Sequence, residues 1–130
     1  MIVDSSAVLA VLQGEDEGQT CAELLIDNEC RMSAANWLEA AVVVDNRSVR
    51  TQRDFDELIE TAQIAIEPVT LAQVRIAREA YRRYGRGSGH AARLNVGDCF
   101  AYALSVSTGE RLLFVGDDFA ATDLLPAIPR

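Results

Sequence analysis

Short apolar runs of strand length alternate with helix-length patterned segments throughout this chain, and two of the runs end at acids: Ile2-Val3 at Asp4, and Leu112-Leu113-Phe114-Val115 at Gly116-Asp117-Asp118. Brief runs that are apolar at every position suit strands covered on both faces, the situation of a parallel sheet between helices. Regular alternation of strand and helix therefore predicts an α/β fold with a central, mainly parallel sheet flanked by helices. With 130 residues, 49% of them apolar, the chain has the material for one core and one domain spanning residues 1–130.

The remaining elements follow from spacing. Ser5 to Gln13 reads as a helix closed by Gly14, Glu15 to Asn28 as a second, and Arg31 to Ala34 as a strand. Asn36 to Asn46 is an unusually apolar helix, Thr51 to Ala62 an amphipathic one, and Ile64 to Ile66 a strand stopped by Pro68. Thr70 and Gln73 have the spacing of a capping box before a long helix, on which Val74, Ala77, Tyr81 and Tyr84 form the expected core stripe. Gly85 to His90 reads as a flexible polar loop, and Gly97 to Val106 as a helix capped by Asn95. No run approaches the roughly 20 apolar residues of a membrane span, and Met1 to Leu12 carries Asp4 and no basic leader, so a cytoplasmic protein without a membrane partner is expected. Cys21, Cys30 and Cys99 form neither a CxxC pair nor a histidine-supported cluster and are expected to be small core residues.

Most of the 20 acidic residues fall on solvated faces, but four do not. Asp4 follows a strand, Glu39 lies within Trp37-Leu38-Glu39-Ala40-Ala41-Val42, Asp98 opens an apolar helix, and Asp117 follows the last buried run. Taken singly, Asp4 is explained as a helix cap, Asp98 as a first-turn acid facing the helix dipole, and Asp117 as a turn residue. Glu39 resists such an account, because burying an unpaired carboxylate costs several kcal/mol. Asp4 and Asp117 share the carboxyl ends of strands, where open α/β sheets gather functional groups, and Asp98 can join them from a helix N-terminus. Two carboxylates ~4 Å apart at an effective dielectric of ~20 repel by about 4 kcal/mol, so such a cluster calls for protonation or a cation. The matching ion is Mg2+, with Mn2+ as a substitute, since it takes one or two carboxylates, keeps several waters and accepts phosphate oxygens.

Net charge is −8, yet the segment from Arg75 to Arg93 carries six arginines against Glu79 alone, a formal +5 that leaves the rest at −13. The chain contains no lysine, so every strong cationic contact is made by a guanidinium. An arginine face beside an acidic pocket suits a phosphodiester backbone, and Arg82, Arg83, Arg86, His90 and Arg93 are the candidates to contact it. A solvated helix face is the alternative for the arginines, and core packing the alternative for Tyr81 and Tyr84.

Four blocks in order, Met1-Ile-Val-Asp4-Ser-Ser-Ala, Ser33-Ala-Ala-Asn-Trp-Leu-Glu39, Leu94-Asn-Val-Gly-Asp98-Cys-Phe and Leu112-Leu-Phe-Val-Gly-Asp-Asp-Phe119, resemble the signature blocks of PIN-domain ribonucleases. The likeness is greatest to the VapC toxins of toxin–antitoxin pairs. It implies a PIN-like three-layer sandwich and magnesium-dependent endonucleolytic cleavage of RNA, with tRNA or rRNA as the family's substrates. It also implies a homodimer and a VapB-like antitoxin. Asp4, Glu39 and Asp98 match the family's catalytic acids, with Asp4 and Asp98 touching the metal, and either Asp117 or Asp118 supplies the fourth because Gly116 stands where many members have it. Ser6 matches a small hydroxyl residue beside the site.

Two other readings compete. A haloacid-dehalogenase-like phosphatase also begins strand-Asp, but it needs a second aspartate where this chain has Ser6. A non-catalytic RNA- or protein-binding module would use the arginine face and leave the acids structural.

Overall fold

A computed structural model describes all residues, 1–130. Its elements run β1 (Ile2–Val3), α1 (Ser5–Gln13), α2 (Gly18–Asp27), β2 (Arg31–Ser33), α3 (Ala34–Asp45), α4 (Val49–Thr61), β3 (Ala65–Glu67), α5 (Leu71–Tyr84), α6 (Val96–Thr108), β4 (Leu112–Leu113) and a 3-10 turn at Phe119–Ala121. The four strands form one sheet in the order β3-β2-β1-β4, every pairing parallel, as the apolar runs predict. β1 and β2 are short because the chain passes at once into a helix after each: Asp4 caps α1 and Ser33 caps α3.

Two apolar layers sandwich the sheet. One joins Ile2, Leu112 and Phe114 to α5 and α6 through Ala77, Ala80, Tyr84, Tyr102 and Leu104. The other joins Val3, Met32 and Leu113 to α1–α4 through Val8, Leu25, Val44 and Phe55. Successive residues Ile2 and Val3, and Leu112 and Leu113, serve opposite layers, which is why these strands tolerate no polar position. All three cysteines are buried and unpaired, as expected of small core residues. No helix is long and apolar enough to cross a membrane.

Several local expectations need correcting. On α5 the buried residues are Ala77, Ala80 and Tyr84, whereas Val74 and Tyr81 are 40% and 38% exposed. Small residues let α5 approach α6 closely, and the bulkier ones fall at the rim of that contact. Thr70 Oγ1 accepts from the Gln73 amide at 3.2 Å without a return bond, so the reciprocal capping box belongs to Asn95 and Asp98 instead. The loop after α5 is tied at its base, where Arg86 N donates to Leu94 O and Leu94 N to Tyr84 O, both at 2.9 Å, and Ala92 and Leu94 are buried. The last segment, for which the sequence showed no pattern, runs beside β4 through a parallel bridge between Leu112 and Pro126.

Candidate functional site

The carboxyl ends of β1 and β2 and the N-termini of α1, α3 and α6 meet at one place, and the acids arrive with them. Asp4 is the N-cap of α1, its Oδ2 accepting from the Ser6 amide at 3.0 Å. The next residue, Ser5, is buried, and its hydroxyl donates to Glu39 Oε1 on α3 at 2.6 Å. From the third side Asn36 Nδ2, on α3, donates to Gly97 O at 2.9 Å and also reaches Glu39 Oε1 at 3.4 Å. Gly97 precedes Asp98, whose Oδ2 accepts from Asn95 N at 2.9 Å while its amide donates to Asn95 Oδ1 at 2.8 Å. Positions 4, 39 and 98 are thus brought together by contacts made at, or one residue from, each acid.

Burial sets the electrostatics. Asp4 is only 3% exposed, and loss of hydration pushes its carboxyl up to about 7; the Ser6 hydroxyl and amide oppose the rise, and the charges of Asp98 and Glu39 add to it. Partial burial likewise raises Asp98 to about 6, with Asn95 N opposing and Asp118 and Glu39 adding. The repulsion inferred from sequence is present, but desolvation is the larger cause. Of the two acids after β4, Asp118 is the one whose charge acts on Asp98. Asp117 is exposed, and its backbone oxygen accepts from Ala120 N at 3.1 Å.

Asp4 Oδ1 is buried and receives no hydrogen bond. An orphaned carboxylate oxygen with the charges of two further acids acting on it is a donor that a hard divalent cation satisfies. No three His, Cys, Asp or Glu side chains converge closely enough to cage an ion by themselves. The residues present fit an ion that takes one or two carboxylates and fills its remaining positions with water or phosphate oxygen, as Mg2+ does.

The cationic candidates are spread more widely. Arg86 is exposed, and its charge lowers the Asp98 carboxyl, which places it by the acids. Arg93 is exposed at φ 51°. Arg82 pairs with Glu79 at 2.7 Å, and Arg83 lies 3.7 Å from Asp123 and over the Tyr84 ring at 4.8 Å. His90 Nδ1 accepts from Ala92 N at 3.0 Å, and the ring stands edge-on to Tyr84 with centroids 4.8 Å apart. Ser6 Oγ accepts from Val115 N at 3.0 Å, so it fixes the exit of β4, and with it the Asp117–Asp118 turn, against the start of α1.

Comparison with known proteins identifies the family and the fold. The family model described as PIN domain matches residues 1–125. The chain belongs to the PIN-domain family. Within it, this PIN domain is 47% identical over 132 residues to Ribonuclease VapC28 of Mycobacterium tuberculosis, covering 100% of this chain and 99% of that one. It is 40% identical over 126 residues to Ribonuclease VapC of Mycolicibacterium smegmatis, covering 95% and 97%. These identities place it among the VapC ribonucleases. The fold matches the crystal structure of Mycobacterium tuberculosis VapC20, described as a sarcin–ricin loop cleaving toxin, with a TM-score of 0.77 at 19% identity over 98% of each chain. A toxin–antitoxin complex from Klebsiella pneumoniae aligns with a TM-score of 0.71 at 14% identity, over 94% of this chain and 92% of that one.

Three residues of this PIN domain that contact Glu39 or each other at the candidate site are not singled out by sequence reasoning. In the sequence Ser5 stands beside the more conspicuous Ser6, and Asn36 and Gly97 lie inside the PIN-like blocks without a role of their own. The available signal was a polar Asn36 three positions before Glu39 on an otherwise apolar helix, the interval that puts both on one face.

Proposed function

We propose that this chain is a magnesium-dependent endoribonuclease, the toxin of a toxin–antitoxin pair. The observation that carries the reading is Asp4 Oδ1, buried without a donor beside Asp98 and Glu39. Asp4 and Asp98 would hold Mg2+ or Mn2+. Such an ion, when bound, makes water a better nucleophile near neutral pH and offsets the charge that develops on a phosphodiester. Glu39, fixed by Ser5 and Asn36, keeps a negative group at the edge of the cleft, and Asp118 is the fourth acid. Arg86 and Arg93 are the exposed guanidinium groups left without an acidic partner on the loop, and they would hold the RNA backbone. Arg82, Arg83 and the free Nε2 edge of His90 extend that surface.

The relatives support the same reading. VapC28 and the M. smegmatis protein carry the name ribonuclease, and VapC20 is described as cleaving the sarcin–ricin loop, an RNA target. The fold likeness to a toxin–antitoxin complex supports a VapB-like antitoxin as partner. A homodimer is supported by exposed apolar side chains, Leu38 and Val42 on α3 and Val96 on α6, two helices that pack together. A short neighbouring reading frame with a basic DNA-binding start would identify the antitoxin.

The deciding experiment is RNA cleavage by the purified protein. Cleavage with Mg2+, arrest by chelator, and loss of cleavage with retained folding in Asp4→Asn and Asp98→Asn are expected. Cutting that persists in chelator defeats the metal mechanism, and RNA binding without any cleavage points to a binding module instead.

A further inference from the structure

Glu39 is held more tightly than its partly exposed position on α3 requires, and the three groups that hold it come from three different elements. We infer that Ser5, Asn36 and Gly97 are positioning residues which lock the Glu39 carboxylate in one orientation toward the acid cleft; this rests on the metal-dependent nuclease reading above.

Ser5 sits at the first position of α1, where a serine hydroxyl ordinarily turns back on its own helix. Here it reaches across 34 positions of chain to Glu39 Oε1 at 2.6 Å, a charge-assisted distance. Asn36 is fully buried and approaches the same oxygen at 3.4 Å, while its firmer bond, 2.9 Å, is to Gly97 O. Turning that amide over would set its oxygen against both of these acceptors, so Nδ2 is fixed in place and Oδ1 is left buried without a donor. An apolar residue would remove that orphan, so the Asn is better explained by the two oxygens it serves than by packing.

Gly97 completes the arrangement by what it lacks. A methyl group at this position would overlap Glu39 Oε2. Its φ lies outside the left-handed region, so the glycine is needed for clearance and not for backbone conformation. Both donors act on Oε1, which leaves Oε2 against Gly97, next to Asp98 and without a protein donor. A glutamate has several rotamers of similar energy. Two donors on Oε1 and the clearance at Gly97 favour one orientation, with Oε2 turned toward the N-terminus of α6.

Removing residues that orient a metal-site group typically weakens metal affinity or activity by roughly 10–100-fold. The test compares Ser5→Ala, Ser5→Thr, Glu39→Ala and the Ser5→Ala/Glu39→Ala pair by calorimetric titration with Mn2+ alone, by urea unfolding in chelator, and by kcat and KM for RNA cleavage. We expect Ser5→Ala to weaken Mn2+ binding by about 10-fold and to lower kcat with little change in KM. Ser5→Thr should restore both, and Ser5→Ala should cost nothing further once Glu39 is gone. Wild-type Mn2+ affinity in Ser5→Ala, or an equal loss with and without Glu39, overturns the positioning role. Asp4→Asn and Asp98→Asn serve as controls: if they abolish Mn2+ binding while Ser5→Ala leaves it intact, only this inference fails. If they leave binding unchanged, the parent reading fails and takes this one with it. Asn36→Ala provides a parallel arm, judged only if its unfolding curve shows a folded protein.

Discussion

Replacing Asp4 by asparagine should make the metal-free protein more stable at neutral pH, because the wild-type fold buries an ionised carboxylate that lacks compensation. The carboxyl titrates near 3.8 when unfolded and at about 7 in the fold. A raised folded value means that the stabilising contribution is fully present below about 3.8 and disappears as pH rises to about 7. At about 1.4 kcal/mol per unit, the contribution lost across that window is about 4 kcal/mol. Asparagine keeps the N-cap and the bond from the Ser6 amide, so α1 should start as before. Its NH2 group takes the place of the orphaned oxygen and incurs a pH-independent cost of about 1–3 kcal/mol. The two proteins should therefore differ little, or favour wild type, at pH 4, with the balance swinging by about 3–4 kcal/mol toward Asp4→Asn by pH 8. For a domain of this size that is on the order of 10 °C in melting temperature. Urea unfolding of both proteins in chelator at several pH values measures the swing. A difference that stays constant with pH would refute burial as the source of the shift. Added Mg2+ should raise the stability of wild type alone.

Asn95→Ala should lower stability by about 0.5–2 kcal/mol, seen as a reduced urea midpoint, because the first turn of α6 loses the acceptor for the Asp98 amide. Arg86→Ala should move Asp98 further above about 6, since that guanidinium opposes the rise, and so shift the acid limb of the pH–rate profile upward; an unmoved limb would break the link between them. Arg93→Ala should weaken binding to all RNA sequences alike and reduce the slope of log affinity against log salt by about 1, measured by titration at several ionic strengths. Leu38→Asp with Val42→Asp, on the exposed side of α3, should yield monomers in analytical ultracentrifugation if that face joins two copies.

The frame of this protein is legible in one dimension because strands that serve two apolar layers must be apolar at every position. Ile2-Val3 and Leu112-Leu113 announce themselves, and the acids that follow stand out against them. The same local logic finds the caps at Asp4, Asn95 and Thr70, since a capping bond spans only two or three residues. It fails where the deciding contact is distant. The bonds from Ser5 to Glu39 and from Asn36 to Gly97 cross 34 and 61 positions, and no spacing rule reaches that far. It fails again on α5, where Val74 and Tyr81 have the correct period for a core stripe, yet the close approach of α6 selects the alanines. It also leaves neighbours unseparated: Asp117 and Asp118 follow β4 together, and only in the fold does the charge of Asp118 act on Asp98.

Asp4 and Ser33 pass from strand to helix with no intervening linker, whereas Arg86, His90 and Arg93 are carried on the segment that hangs between Gly85 and Leu94. Lengthening the first kind of junction by a single residue would rotate the following helix by about 100° and dismantle the cluster. The second can be recut, extended or recharged while its two anchor points stay fixed. Chains built this way are free to acquire new targets at the periphery without renegotiating the chemistry at the centre.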